Sequence, residues 1–126
     1  VVAYKKMVGG GFLKMVNQGV EILTNKNSDM DDFGKLLNEH WQIKRGLAPK
    51  ITTSRIDEIY NTGIGAGALG GKLLGAGGGG FILFFAKPEV QPKIKEKLKK
   101  LLHVPFKFDY AGTHIIYLGN HDPIQY

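Results

Sequence analysis

Gly71-Lys72-Leu73-Leu74-Gly75-Ala76-Gly77-Gly78-Gly79-Gly80-Phe81-Ile82-Leu83-Phe84-Phe85-Ala86 is the stretch whose reading decides the fold. Residues 71–74 are short and strand-like, and the continuous apolar run 81–86 predicts a buried central strand. Between them lies a connection made almost entirely of glycine. Ten of the 18 glycines fall between Gly63 and Gly80. Glycine loses more backbone freedom on folding than any other residue, so a run of it is costly. A chain accepts that cost where φ must be positive, or where another backbone or a ligand approaches closely. Consecutive free N–H groups also form a nest for anions. The alternative is a tight or flexible strand-to-strand connection, although a two-residue turn would need only one or two glycines.

Two dinucleotide fingerprints appear by letter, Gly75-x-Gly77-x-x-Gly80 and Gly65-x-Gly67-x-x-Gly70. Neither has the required context. A pyrophosphate loop leaves a strand and opens a helix. The first match opens into a strand and the second closes a helix. A P-loop is excluded because Leu73 follows Gly71-Lys72 and Ala66 stands where the earlier glycine is needed.

Upstream, the period changes to that of helices. Residues 4–25 predict a helix with Val8, Phe12, Met15, Val16, Gly19, Ile22 and Leu23 on one stripe. Gly9-Gly10-Gly11 weakens it by about 1 kcal/mol per glycine relative to alanine, so the helix either starts after the triplet or packs closely there. Asp29 is a good N-cap for a second helix running to about Arg45, with Asp31 and Asp32 at its positive end. Gly46 is the natural stop, with Pro49 beyond. Its stripe is Phe33, Leu36, Leu37, Trp41 and Leu47, and His40 and Lys44 lie on or beside it. Ser54 and Asp57 resemble a capping box for a third helix carrying Ile56, Ile59 and Tyr60, which fades between Asn61 and Gly67.

Downstream, Pro88 starts a lysine-rich helix, and Pro92 is tolerable in its first turn. Val90, Ile94, Leu98, Leu101 and Leu102 face one way, while Lys93, Lys95, Lys97, Lys99 and Lys100 form a solvated face. Residues 105–110 alternate Phe106, Phe108 and Tyr110 as a strand with one buried face. Ala111-Gly112 turns the chain, and residues 113–118 return as a hairpin partner. The order helix, helix, helix, strand, strand, helix, strand, strand predicts an α+β domain. Its antiparallel sheet is ferredoxin-like, with the helices packed on one side.

A length of 126 residues fits one domain. The absence of cysteine excludes a disulfide framework and thiolate metal sites, and is compatible with a cytoplasmic location. The longest apolar run is far short of the roughly 20 residues that cross a bilayer. The opening Val1-Val2-Ala3-Tyr4 lacks an initiator Met and reads as a piece of a longer protein. The net charge of +6 brings a nucleic-acid patch into consideration. However, no aromatic residue is interleaved with the lysines and no arginine cluster exists, so nucleic acid is not the expected partner. The four histidines, at 40, 103, 114 and 121, lack paired ligand spacing, so no metal held by this chain alone is expected.

Lys72-Leu-Leu-Gly-Ala-Gly-Gly-Gly-Gly-Phe81 resembles the third signature motif of the GHMP kinases, the family of galactokinase, homoserine kinase and mevalonate kinase. Flanking segments are similar to the branch that phosphorylates D-glycero-D-manno-heptose 7-phosphate: Phe33-Gly-Lys-Leu-Leu-Asn-Glu-His-Trp-Gln-Ile-Lys44, Ile51-Thr52, Arg55-Ile-Asp57, Gly67-Ala-Leu-Gly-Gly-Lys72 and Pro105-Phe-Lys-Phe108. The resemblance covers nearly the whole chain but only the C-terminal portion of the family's proteins.

It implies a two-part kinase with its active site between the parts. The N-terminal ATP-binding part, absent from this sequence, would supply the phosphate-wrapping loop, the catalytic acid and the Mg2+ ligands. ATP and Mg2+ are thus expected in the intact enzyme and neither is held by this chain alone, which is expected to be inactive and to carry no catalytic residue. Gly75, Ala76, Gly77, Gly78, Gly79 and Gly80 would lie beside the transferred phosphoryl group. Trp41, Lys44, Arg45 and Lys72 are the candidates for the sugar phosphate. Trp41 either stacks on a sugar ring or fills the core. Lys44 either snorkels or meets an anion, with Arg45 nearby. Lys72 either pairs with an acid to hold the hairpin or points to phosphate. His40 is a packing residue or a base, and Ser54 an N-cap or a ligand. The competing reading is a ferredoxin-like module that sets its basic helix on RNA or a protein partner. Self-association through apolar surface bared by the missing domain is a third.

Overall fold

The computed structural model describes residues 2–47, 51–75, 78–108 and 111, with side chains from residue 11 onward. Its order is α1 (Val2–Thr24), α2 (Met30–Arg45), α3 (Ser54–Gly65), β1 (Gly70–Leu74), β2 (Phe81–Phe85), a 3-10 turn (Pro88–Val90) and α4 (Gln91–Lys97). This is an α+β domain of helices and an antiparallel sheet.

Helix α2 ends where its residues require. Asp29 sits in extended backbone and its side chain accepts from the Asp31 N–H at 2.9 Å, satisfying a donor that the first turn would leave orphaned. Asp31 and Asp32 follow in the first turn, and Lys44 and Arg45 occupy the last. Gly46 closes the helix, but at φ −79° rather than in the left-handed region. Asp29→Ala is expected to cost about 1 kcal/mol, read as a lower urea midpoint with an unchanged m-value.

Helix α3 corrects the expected cap by one residue. Thr53, not Ser54, is the N-cap, and its Oγ1 accepts from the Ile56 N–H at 3.2 Å. Asp57 does not reach back to the cap. It accepts from Thr52 Oγ1 at 2.9 Å and pairs with Arg45 at 3.1 Å, joining the end of α2 to the start of α3.

Strands β1 and β2 pair antiparallel with Gly70 opposite Phe85 and Leu74 opposite Phe81. The Leu69 N–H donates to the Phe85 carbonyl at 2.8 Å and extends the ladder. Helix α2 lies against β1 through two glycines. A Cβ on Gly70 would sit 2.0 Å from the Gly34 carbonyl oxygen, and a Cβ on Gly34 would sit 2.6 Å from Leu69 Cβ. Helix α3 meets the sheet at Gly63, where the Phe84 ring fills the space of a side chain. Trp41, Ile56, Tyr60 and Leu73 form the main core, and Ala66, Ala68 and Ile94 form a second one beneath α4. The Tyr60 hydroxyl donates to Asn38 Oδ1 at 2.8 Å, fixing α3 to α2, and Lys87 pairs with Asp31 at 2.6 Å.

Several expectations need correction. Strand β2 is half-exposed along most of its length, and Phe81 is 59% exposed, because among the described residues it has a strand on only one side. Helix α1 runs unbroken through the glycine triplet, and nothing lies within 4 Å of a Cβ at Gly11. No close packing occurs at that residue. On α1, Met15 and Gly19 turn inward while Val16 and Leu23 stay exposed. Helix α4 stops at Lys97, so Ile94 and Leu98 pack while Leu102 is 83% exposed. The lysines at 93, 95, 97, 99 and 100 are exposed as a solvated face. Residues 105–108 join no strand and are exposed. The remainder of that predicted hairpin, 109–110 and 112–118, lies outside the described residues.

Candidate functional site

The glycine connection closes on itself at its neck. Gly75, Gly78 and Gly80 have φ of 139°, 71° and 124°, conformations that side chains strain against. A Cβ on Gly80 would lie 2.2 Å from the Leu74 carbonyl oxygen, and one on Gly75 would lie 2.9 Å from that of Gly79. The Gly78 N–H lies 3.5 Å from the Ile51 carbonyl, bringing the loop beside the segment that enters α3. Gly75, Gly78, Gly79 and Gly80 are exposed. Ala76 and Gly77 lie outside the described residues.

Gly79 differs from its neighbours. Its φ is not positive, and among the described residues no atom beyond its chain neighbours lies within 4 Å of the position a Cβ would take. Among the described residues, nothing requires glycine there. The space beside it is open to a molecule or a chain from outside.

The second group of candidates divides. Trp41 is 0% exposed and packs on Tyr60 with ring centroids 5.6 Å apart. It belongs to the core, and no face is free to stack on a sugar. Its Nε1 has no hydrogen-bond partner among the described residues. Arg45 is held by Asp57 and touches Gln42 Oε1 at 3.4 Å, so its charge is already matched. Ser54 is exposed at the first position of α3.

Lys44 and Lys72 are different. Among the described residues, the half-buried lysines and arginines are Lys44, Arg45 and Lys72. Arg45 has its carboxylate; Lys44 and Lys72 have no ion pair among the described residues. The hairpin-holding pair considered for Lys72 is therefore not found among the described residues. Lys72 shares a face of β1 with Gly70, the residue seated on α2, because strand side chains alternate. Lys72 and His40 both line a groove between α1 and α2, and Lys44 lies one helical turn beyond His40. The result is a cationic cluster drawn from α2 and β1.

His40 reports that cluster. Its ring lies 4.9 Å from the Phe12 ring of α1. Burial holds its imidazole below the usual 6.5, and Lys72 and then Lys44 act in the same direction. As pH falls below 6.5, the unfolded chain takes up this proton before the folded one does. Stability from this group is present above 6.5 and is lost as pH falls toward the lower folded value. Urea unfolding should show a midpoint that drops from about pH 7.5 to about pH 5.5, and His40→Gln should flatten that part of the profile. His40 was weighed from sequence as a packing residue or a base. Its place beside two unmatched cations could not be read there, because Lys72 is 32 positions away in the chain.

Among the described residues, no three of His, Asp and Glu converge as a metal site, and no helix is long and apolar enough to cross a membrane.

Comparison with known proteins places these features in context. The family profile described as GHMP kinases C terminal matches residues 21–104. D-glycero-alpha-D-manno-heptose 7-phosphate kinase of Campylobacter jejuni is 30% identical over 73 residues, 58% of this chain and 22% of that protein. Bifunctional fucokinase/GDP-fucose pyrophosphorylase of Arabidopsis thaliana is 30% identical over 96 residues, 76% of this chain and 8% of that protein. Mevalonate kinase of Pyrococcus abyssi is 34% identical over 88 residues, 68% of this chain and 26% of that protein. The match thus spans at most 26% of the length of these relatives.

Proposed function

This chain belongs to the GHMP kinase family as its C-terminal domain, and from that premise we propose that it forms the substrate side of an ATP-dependent sugar kinase acting on D-glycero-D-manno-heptose 7-phosphate. The observation that carries the reading is Gly79. It is an exposed glycine in a neck-closed loop, with neither a positive φ nor a neighbour among the described residues to explain it. Phosphoryl transfer is chiefly positioning and electrostatic stabilisation of charged oxygens. A loop without side chains lets main-chain N–H groups approach such oxygens closely. ATP would supply the phosphoryl group. Gly75, Ala76, Gly77, Gly78, Gly79 and Gly80 would border it. Lys44 and Lys72, unmatched by any carboxylate of the described residues, would hold the phosphate that the sugar already carries. Arg45 would act through its pairing with Asp57, keeping the end of α2 in place.

The described residues do not fit Mg2+. They offer no cluster of three candidate ligands, so ligands for that ion would come from another part of the enzyme, along with the catalytic acid. On this reading the chain alone is expected to be inactive, and the intact enzyme is placed in the cytoplasm. The heptose assignment draws on the similarity to the Campylobacter jejuni enzyme and on the cation pair, which suits an acceptor that is itself a phosphate.

The test has two parts. The chain alone, given ATP and heptose 7-phosphate, should show no turnover. Fused behind the preceding portion of the Campylobacter jejuni enzyme, it should support ATP-dependent phosphorylation that Lys44→Ala reduces through KM. A folded fusion that stays idle, or heptose phosphate that leaves the Lys44 and Gly79 amide resonances unmoved, would overturn the reading.

A further inference from the structure

The cation cluster does not end in open solvent. Residues of α1 and α2 line a groove of about 310 Å³ beside it. Its walls are apolar, with Phe12, Val16 and Val20 from α1 and Leu37 from α2. Its charged or titratable groups are Lys72 and His40. The volume falls at the small end of the range that ligand pockets occupy, about 300–1,000 Å³. An apolar trough with one or two convergent polar groups is the usual form of a small-molecule site.

Three observations say what would fit. The lysine at the groove carries no ion pair among the described residues, so its charge calls for an anion. Val16 and Val20 are more than half exposed, so the trough is accessible along its length. Gly19, between them on α1, faces Leu36 and Phe33 at 3.7 and 3.9 Å from its would-be Cβ, so the two helices touch at its floor and the trough is closed beneath.

We propose that the α1–α2 groove binds a small anionic amphiphile, its anionic head on Lys72 and His40 and its short apolar chain laid between Val16, Val20 and Leu37. The head shares Lys72 with the phosphate of the sugar in the kinase reading, so such a compound would compete with the sugar phosphate. Binding to the groove, however, requires no phosphoryl transfer and no other part of an enzyme, so the two ideas fail separately.

The probe is octyl phosphate, kept below its micelle-forming concentration, added to the full 126-residue chain. Binding is followed by amide shifts and by the His40 ring resonances. Inorganic phosphate tests the head alone and octanol tests the chain alone. Octyl phosphate should bind at least about tenfold more tightly than either, because it joins a charge-assisted contact to apolar burial. Lys72→Gln should weaken it roughly tenfold. Val20→Asp, at an exposed position that leaves the core untouched, should weaken it similarly by setting a negative charge along the chain's path. Binding should also raise the pH at which His40 titrates, because an anion opposes Lys72 from β1 and Lys44 from α2, while from the described side chains of α1 the Phe12 ring is set against it. Equal binding of inorganic phosphate would overturn the proposal. So would octyl phosphate that is indifferent to both substitutions, or a His40 titration that does not move.

Discussion

Gly70→Ala is expected to cost about 3 kcal/mol or more, against a total stability of roughly 6–19 kcal/mol for a chain of this size. The new Cβ would lie 2.0 Å from the Gly34 carbonyl oxygen and 2.8 Å from the Asn38 backbone nitrogen. Both obstacles are main chain of α2, so no rotamer change relieves the clash. Helix α2 must move off β1, and it carries Trp41 and the hydrogen bond from Tyr60 to Asn38 with it. Urea unfolding followed by circular dichroism should show the loss as a lower midpoint, with reduced protection of the β1 amides in hydrogen exchange. Gly11→Ala is the control. Nothing lies within 4 Å of its Cβ and it sits inside α1, so it should stabilise the protein by about 0.5–1 kcal/mol. If both substitutions shift the midpoint alike, the packing of α2 on β1 is not what the structure describes.

Trp41→Ala is expected to cost about 3–5 kcal/mol. The side chain is fully buried against Ile56, Tyr60 and Leu73, which come from α3 and β1. Its removal therefore opens a cavity where three elements meet. Trp41→Phe should cost distinctly less than lost area alone would give. The indole Nε1 is buried without a partner, and leaving such a donor unsatisfied carries a penalty of about 1–3 kcal/mol that phenylalanine does not incur. The two variants together separate packing from desolvation. Equal losses in both would mean that Nε1 has found a partner in solution.

The parts of the fold legible in the sequence were those set by neighbours in the chain. Asp29, Asp31 and Asp32 mark the start of α2, and Lys44, Arg45 and Gly46 mark its end, because capping and dipole effects act within one helical turn. The cap of α3 missed by one residue for the same kind of reason. Thr53 and Ser54 offer the same hydroxyl, and only the backbone of the incoming segment selects between them. Hydrophobic stripes were less reliable. Helix α4 ends at Lys97 although the pattern continues through Leu101 and Leu102, because a stripe shows only which side would be buried if something were there to bury it. Val16, Leu23 and Phe81 are exposed for the same reason.

The candidate site divides along the same line. The glycine loop was conspicuous as text, and the need for positive φ could be argued from composition alone. That Gly80 is crowded by Leu74 while Gly79 is crowded by nothing required coordinates. Trp41 and Lys44 stand three positions apart on one helix, yet one is core and the other an unmatched charge. The sequence could offer both alternatives for each without choosing.

By itself, then, the amino-acid sequence determined the kinase family, the ends of α2 and the antiparallel hairpin, all of which depend on interactions spanning a few residues or on a motif read letter by letter. Only the tertiary structure decided which cations remain unpaired among the described residues, which aromatic ring is buried, and that Gly80 is crowded where Gly79 is not. Those depend on distances between residues far apart in the chain, and no local pattern encodes such distances.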